Sequence, residues 1–224
     1  MTKHRREVSR VEGFSDAVFG FAVTLLVVSL DVPKTFDDLL LMMRGFPAFA
    51  VSFALLFQIW WRQYRFFRSY DLEDSFVVGM TGVLLFVVLF YVYPLKFLWS
   101  LVFLQFAGRA TGDMMPRGEV WALFAIYGLG AAASFGILAA LYRHAYRQRE
   151  AIELTPVEIV DTRVEVYRNV ALAGIGLLSV AVAVAARVYA PGLAPLAGFV
   201  YFLIGISEWT LGAYNRRLRQ RLQA

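Results

Sequence analysis

Long apolar stretches alternate with short polar segments along the chain, and this pattern predicts its main elements. A helix rises about 1.5 Å per residue, so roughly 20 apolar residues cross the hydrocarbon core of a bilayer. Six stretches qualify, and each predicts a membrane-spanning helix. Their approximate bounds are 11–32, 46–61, 76–103, 120–141, 170–189 and 193–211. The third span could be broken near Pro94, because proline removes a helix hydrogen bond.

The polar segment 143–169 between the fourth and fifth spans carries alternating charges. This segment predicts a helical extension outside the bilayer rather than a loose loop. Thr155 followed by Pro156 suits a helix start, since proline is favoured in the first turn and threonine just before it.

Composition supports a membrane protein. Hydrophobic residues make up 59% of the chain, charged residues 17%, and the mean hydropathy is +0.60. Soluble domains have about 45–50% apolar and about 25% charged residues.

Cysteine is absent, which excludes disulfides and thiolate chemistry, and the two histidines, His4 and His144, lie in charged segments. We therefore expect neither a cofactor nor a resident metal.

Basic residues predict the orientation in the membrane. Sixteen of the 22 Lys and Arg residues fall in the N-terminal segment, in the loops 62–75 and 142–168, and in the C-terminal tail. These four segments share one side of a six-span chain, so the positive-inside rule places both termini in the cytoplasm. The same rule explains the net charge of +5 without nucleic acid as a partner. The first span is too long for a cleaved signal and contains Asp16, so we expect it to be retained.

The first span differs from the others because Ser15 and Asp16 lie side by side within it. An aspartate costs about 2.5–3.5 kcal/mol at the centre of a membrane helix, and less near the ends. At roughly 100° per residue an apolar stripe runs along another side of the helix. The stripe consists of Phe14, Phe21, Leu25 and Val28. In one interpretation the stripe packs on neighbouring helices and the polar pair bonds within the bundle. In the other the polar pair anchors the helix to its own subunit, and the stripe faces a shared space such as a pore.

The residues Arg10-Val-Glu-Gly-Phe14-Ser15-Asp16, followed by Ala-Val-Phe and then Thr24-Leu-Leu-Val, resemble the signature of the transmembrane protein 175 family of lysosomal and prokaryotic potassium channels. Looser similarity continues along the chain, at Phe53, Trp60, Phe67 and Tyr93-Pro94-Leu95-Lys96. A single six-span unit is similar to the prokaryotic members, which form homotetramers. The resemblance therefore implies an all-α integral membrane protein, one domain over residues 1–224, that assembles with itself around a central pore in the cell membrane.

The resemblance also implies roles for particular residues. The first helix of each subunit would line the pore, with the constriction at Phe21, polar contact with K⁺ at Thr24, and further apolar layers at Leu25 and Val28. Arg10, Phe14, Ser15 and Asp16 would form the motif that holds the helix. The implied activity is a leak-type potassium channel with a modest preference for K⁺ over Na⁺.

Two positions depart from the family pattern. The constriction usually holds Ile or Leu, and here four Phe21 rings could shut a pore by dewetting or swing aside as rotamers. A histidine pair often follows the tryptophan of the second span in relatives, whereas this chain has Gln63 and Tyr64 there. Any contribution of those histidines to gating is therefore in doubt.

Two other classes of protein compete with a channel. A secondary transporter would use an intramembrane carboxylate, Asp16 or Glu208, as a proton or sodium site. Against it, no pair of Gly- or Pro-broken spans occupies matching positions of two repeats. Glu208 fits an ion pair with an arginine, or a place in a polar cavity, better than a transport site. An enzyme is disfavoured because the sequence contains neither a Gly-x-Ser-x-Gly nor a His-Glu-x-x-His motif.

Overall fold

The structure is a computed structural model that describes residues 8–28, 34–44, 46–106, 119–189 and 193–223. Every regular element within these ranges is helical, which confirms the all-α fold class. The helices are α1 (Arg10–Val28), α2 (Phe36–Arg44), α3 (Phe46–Ser69), α4 (Ser75–Phe106), α5 (Val120–Arg147), α6 (Pro156–Tyr189), α7 (Leu196–Phe199) and, after a 3-10 turn at Val200–Phe202, α8 (Leu203–Gln223).

Among the described residues, four helical segments are long and apolar enough to cross a membrane. They are Ser75–Leu95, Val120–Arg147, Pro156–Tyr189 and Leu196–Gln220. The first and second predicted spans are helical as α1 and α3 but are not among these four. Residues 29–32 of the first predicted span lie outside the described residues. The multi-pass membrane class is therefore established, and the count of six spans stays a prediction.

Several helices differ in length from the predicted spans. α4 continues through Pro94 without a break. α3 extends to Ser69, and α6 begins at Pro156, well before the predicted fifth span. The predicted helix start at Thr155 is confirmed: its backbone N donates to Glu158 Oε2 at 2.9 Å, while Glu158 N donates to Thr155 Oγ1 at 3.3 Å. This reciprocal pair is a capping box, which satisfies donors that the first turn leaves open.

α5 and α6 form a closely packed antiparallel pair at the centre of the fold. Their backbones approach most closely at Gly128 and Gly176. A Cβ atom added at Gly128 would lie 2.6 Å from the Gly176 carbonyl oxygen, and one added at Gly176 would lie 2.7 Å from the Gly128 carbonyl oxygen. Only glycine fits there, as is common where membrane helices pack through small residues.

Asp74 joins the start of α4 to the end of α5. Its Oδ1 accepts a hydrogen bond from Val77 N at 2.9 Å, which caps α4, and its Oδ2 lies 2.5 Å from His144 Nε2. Partial burial opposes ionisation of the carboxyl group, but the hydrogen bonds from Val77 and His144 outweigh that effect and lower the pKa of Asp74 below its ordinary value.

Candidate functional site

α1 packs against α3 and α4 through one face only. Its buried side chains recur every three or four residues, as expected for a helix covered on one side. They are Glu12, Ser15, Phe19, Ala22 and Leu26. The exposed residues between positions 13 and 24 form the opposite side, called here the uncovered face. They are Gly13, Phe14, Asp16, Ala17, Gly20, Phe21 and Thr24.

The structure separates the residues of the predicted apolar stripe. Phe14 and Phe21 lie on the uncovered face and are 64% and 57% exposed in the single chain. Leu25 lies at the edge of that face and is partly buried against the core. The side chain of Val28 lies outside the described residues. Most of the surface of these two rings is therefore not covered by the part of the chain that the structure describes, which disfavours the first interpretation of the stripe.

Ser15 and Asp16 both bond to α3. Ser15 Oγ donates to Gln63 Oε1 at 2.9 Å in a buried position, and Trp60 Nε1 donates to Asp16 Oδ1 at 2.8 Å. Gln63, at the position where relatives often carry histidine, thus accepts the hydrogen bond from the serine hydroxyl. These two bonds fix the N-terminal half of α1 to the bundle of its own chain.

The sequence analysis missed a third polar link between α1 and α3. Glu12, with 4% of its side chain exposed, lies 3.7 Å from Arg68 Nε through its Oε1 atom. The available signal was its spacing: Glu12 precedes Ser15 by three residues and therefore shares its face of the helix. Arg10, the first residue of α1, is exposed.

Thr24 presents a hydroxyl oxygen on the uncovered face. Its Oγ1 donates to the Gly20 carbonyl oxygen at 2.9 Å, one turn earlier in the helix. A hydroxyl has one proton and two lone pairs, so the proton is used within the helix while the lone pairs can accept or face a cation.

Glu208 lies in a charge cluster formed by α3, α6 and α8, which confirms its predicted pairing with arginine. Its Oε1 is 2.6 Å from an Arg62 terminal nitrogen, and its Oε2 is 2.9 Å from Arg168 Nε. Glu165 completes the cluster through ion pairs with three arginines. The distances are 3.4 Å to Arg62, 2.7 Å to Arg65 and 2.5 Å to Arg168. With both carboxylate oxygens engaged, Glu208 has no resemblance to an open ion-coupling site.

Several helices are long and apolar enough to span a membrane, and polar side chains anchor α1 to this bundle on one side while its other side is uncovered. These features define a multi-pass membrane protein. A family model described as "Endosomal/lysosomal potassium channel TMEM175" matches residues 10–91, which run from α1 through α2 and α3 to the middle of α4. A protein of Marivirga tractuosa named "Potassium channel" is 37% identical over 206 residues, covering 88% of this chain and 83% of that protein. The chain belongs to the TMEM175 family.

Solved structures agree with this assignment. A crystal structure of a variant of the potassium channel MtTMEM175, in complex with a Nanobody-MBP fusion protein, is 33% identical with a TM-score of 0.84, and 96% of each chain is covered. A lysosomal potassium-selective channel TMEM175 homolog from Chamaesiphon minutus shares the fold, with a TM-score of 0.58 at 22% identity over 87% of this chain and 96% of that one.

Proposed function

We propose that this chain is a leak-type potassium channel with a modest preference for K⁺ over Na⁺. Four copies surround a central pore that is lined by α1 of each subunit. Each subunit crosses the cell membrane six times and keeps both termini in the cytoplasm. The choice of potassium is supported by the names of two similar proteins, the "Potassium channel" of Marivirga tractuosa and the potassium channel MtTMEM175.

The uncovered face of α1 is the observation that carries the proposal. It combines the phenyl rings with the carboxylate of Asp16, the hydroxyl of Thr24 and the bare backbone of Gly20. The exposed side of α4 instead presents large apolar groups such as Phe86 and Phe90, as a surface in contact with lipid does. A carboxylate facing hydrocarbon is costly, so the mixed face of α1 suits a subunit junction and an ion path better than lipid.

The proposed path explains a weak selectivity. Phe21 rings form the neck, Leu25 and Val28 add apolar layers, and Thr24 oxygens offer contact to a passing cation. An apolar neck closes by dewetting and holds no fixed charge, so it binds K⁺ weakly and discriminates modestly. Permeant K⁺ is the only ion that the mechanism requires, and no cofactor takes part.

The motif residues hold the pore helix in place in this proposal. The hydrogen bonds of Ser15 and Asp16 to α3 fix the inner half of α1, and Arg10 begins the helix at the proposed cytoplasmic surface. Phe14 lies on the uncovered face two turns before the neck at Phe21. Asp16 has both roles, since it lies on the uncovered face and also fixes the helix through Trp60.

Potassium flux into liposomes tests the pore assignment. Purified protein is reconstituted under a potassium gradient, and the variants Phe21→Ala, Thr24→Ala and Leu25→Ala are compared with the native chain. We expect Phe21→Ala to raise the flux, because removing four rings widens and wets the neck, and Thr24→Ala to alter the K⁺ over Na⁺ ratio.

Phe86→Ala is the matched control, since Phe86 is a phenylalanine of α4, a membrane helix, with 71% exposure. The pore assignment fails if the three α1 variants leave flux unchanged, or if Phe86→Ala changes it as much as Phe21→Ala. The subunit count is checked by native mass spectrometry in detergent, where a monomer or dimer would contradict the tetramer. A carrier would instead show flux that depends strictly on a counter-ion, and the paired state of Glu208 does not favour one.

A further inference from the structure

One turn of α3, residues 60–63, contacts helices on several sides. Trp60 and Gln63 make the two hydrogen bonds to α1. Between them, the Arg62 guanidinium reaches α6 and α8, while its carbonyl oxygen accepts a hydrogen bond from Tyr142 of α5 at 2.9 Å. The same turn therefore holds the proposed pore helix on one side and the charge cluster on the other.

The charged side of this turn is mostly removed from solvent. The Arg62 side chain is 6% exposed, and that of Glu208 is 32% exposed. Because Glu208 contacts Arg62 with one oxygen and Arg168 with the other, it links α8 to α3 and α6 together. Loss of its charge leaves Arg62 with the longer 3.4 Å ion pair to Glu165 and with the Phe135 ring, whose centroid is 5.7 Å away. An incompletely compensated buried charge is unfavourable, so the turn is expected to shift.

A shift of this turn reaches α1 directly. Arg62 and Gln63 are adjacent residues of a continuous helix, so they move together, and Gln63 is bonded to Ser15. We propose that Glu208 is a positioning residue for α1: its ion pair with Arg62 fixes the turn at residues 60–63 and thereby sets the balance between conducting and non-conducting positions of α1. This inference rests on the proposed function, in which α1 lines the pore.

The chain offers a matched control for this ion pair. Arg219 of α8 pairs with Asp161 of α6, and this contact also holds α8 to the bundle. The pair involves no residue of α3. Loss of the Asp161 charge therefore tests what α8 docking alone contributes, without a perturbation of the turn that holds α1.

Single-channel recording in planar bilayers with symmetric potassium chloride tests the proposal through a double-mutant cycle. The variants are Ser15→Ala, Glu208→Gln and the double variant, with Asp161→Asn and its double with Ser15→Ala as controls. We expect Glu208→Gln to change the open probability and leave the unitary conductance unchanged. The effects of Ser15→Ala and Glu208→Gln on the open–closed equilibrium should depart from a simple product by about 2- to 30-fold, the range that coupling through packed networks produces. In the cycle with Asp161→Asn, the effects of the two single variants on the open–closed equilibrium should combine as a simple product.

Several results would overturn the inference. A simple product for the Ser15 and Glu208 cycle, or equal coupling in the Asp161 cycle, removes the specific link through α3. If Glu208→Gln does not fold, Glu208→Asp is measured in its place, because it keeps the charge on a shorter side chain. An open probability of Glu208→Asp equal to that of the native chain also counts against the proposal. The two hypotheses fail separately. An unchanged unitary conductance in Phe21→Ala rejects the pore. An altered conductance in Phe21→Ala, together with a simple product in the Ser15 and Glu208 cycle, rejects only the role of Glu208.

Discussion

Adding one methyl group at Gly176 tests the close approach of α5 and α6. A Cβ atom there would lie 2.7 Å from the Gly128 carbonyl oxygen and 2.9 Å from Ala132 N, while ordinary contact begins at 3.4 Å. Both neighbours are backbone atoms, so no side chain can turn away and the helices must separate. Forcing extra atoms into a packed interior costs about 1–3 kcal/mol. We expect Gly176→Ala to lower the free energy of unfolding by that amount.

Gly174, two residues earlier on α6, provides the control. A Cβ atom there meets nothing within 4 Å, so only the helix preference of alanine over glycine remains, a gain of about 0.5–1 kcal/mol. Unfolding of both variants in the same detergent, followed by circular dichroism against denaturant, should give shifts of opposite sign. If Gly176→Ala proves as stable as Gly174→Ala, the contact at Gly128 does not limit the packing and the reasoning is refuted.

Two further predictions concern polar contacts. Asp74→Ala removes the cap of α4 and should cost about 0.5–2 kcal/mol in thermal unfolding at neutral pH. Because the folded protein lowers the pKa of Asp74, its contribution is present above the unfolded pKa and is lost as the pH falls through the folded pKa. A difference in stability between the native chain and the variant that grows in acid would contradict this account. Trp60→Phe keeps an aromatic ring beside Tyr64 but removes the hydrogen-bond donor to Asp16. We expect it to lower the free energy of unfolding by about 1.5–3 kcal/mol in the same measurement. An unchanged melting temperature would contradict this expectation.

Local signals in the sequence predicted local structure well. The Thr155–Pro156 helix start follows from capping chemistry within four residues, and the structure has the expected pair with Glu158. The interruption considered at Pro94 does not occur, because a long helix packed against neighbours tolerates the loss of one hydrogen bond. The nine-residue α2 was not predicted, since it is too short to give a spanning signal.

Contacts between distant residues were harder to predict. Periodicity located the stripe of Phe14 and Phe21 but not the buried face of α1. The buried Phe19 and Ala22 are as apolar as the stripe, and packing against α3 and α4 decides which side is covered. An arginine partner for Glu208 was predicted by charge alone. That the partner is Arg62, 146 residues away, depends on the tertiary packing.

The length of α6 has a practical consequence. Its 34 residues extend about 51 Å, whereas the hydrocarbon layer is about 30 Å thick, so about 20 Å of helix extends beyond the hydrocarbon. The turn at residues 148–153 caps this extension and is continuous with α5. A marker domain inserted there would rotate with the transmembrane body rather than swing on a tether. Electron cryomicroscopy of this small protein would thereby gain an alignment feature outside the detergent belt.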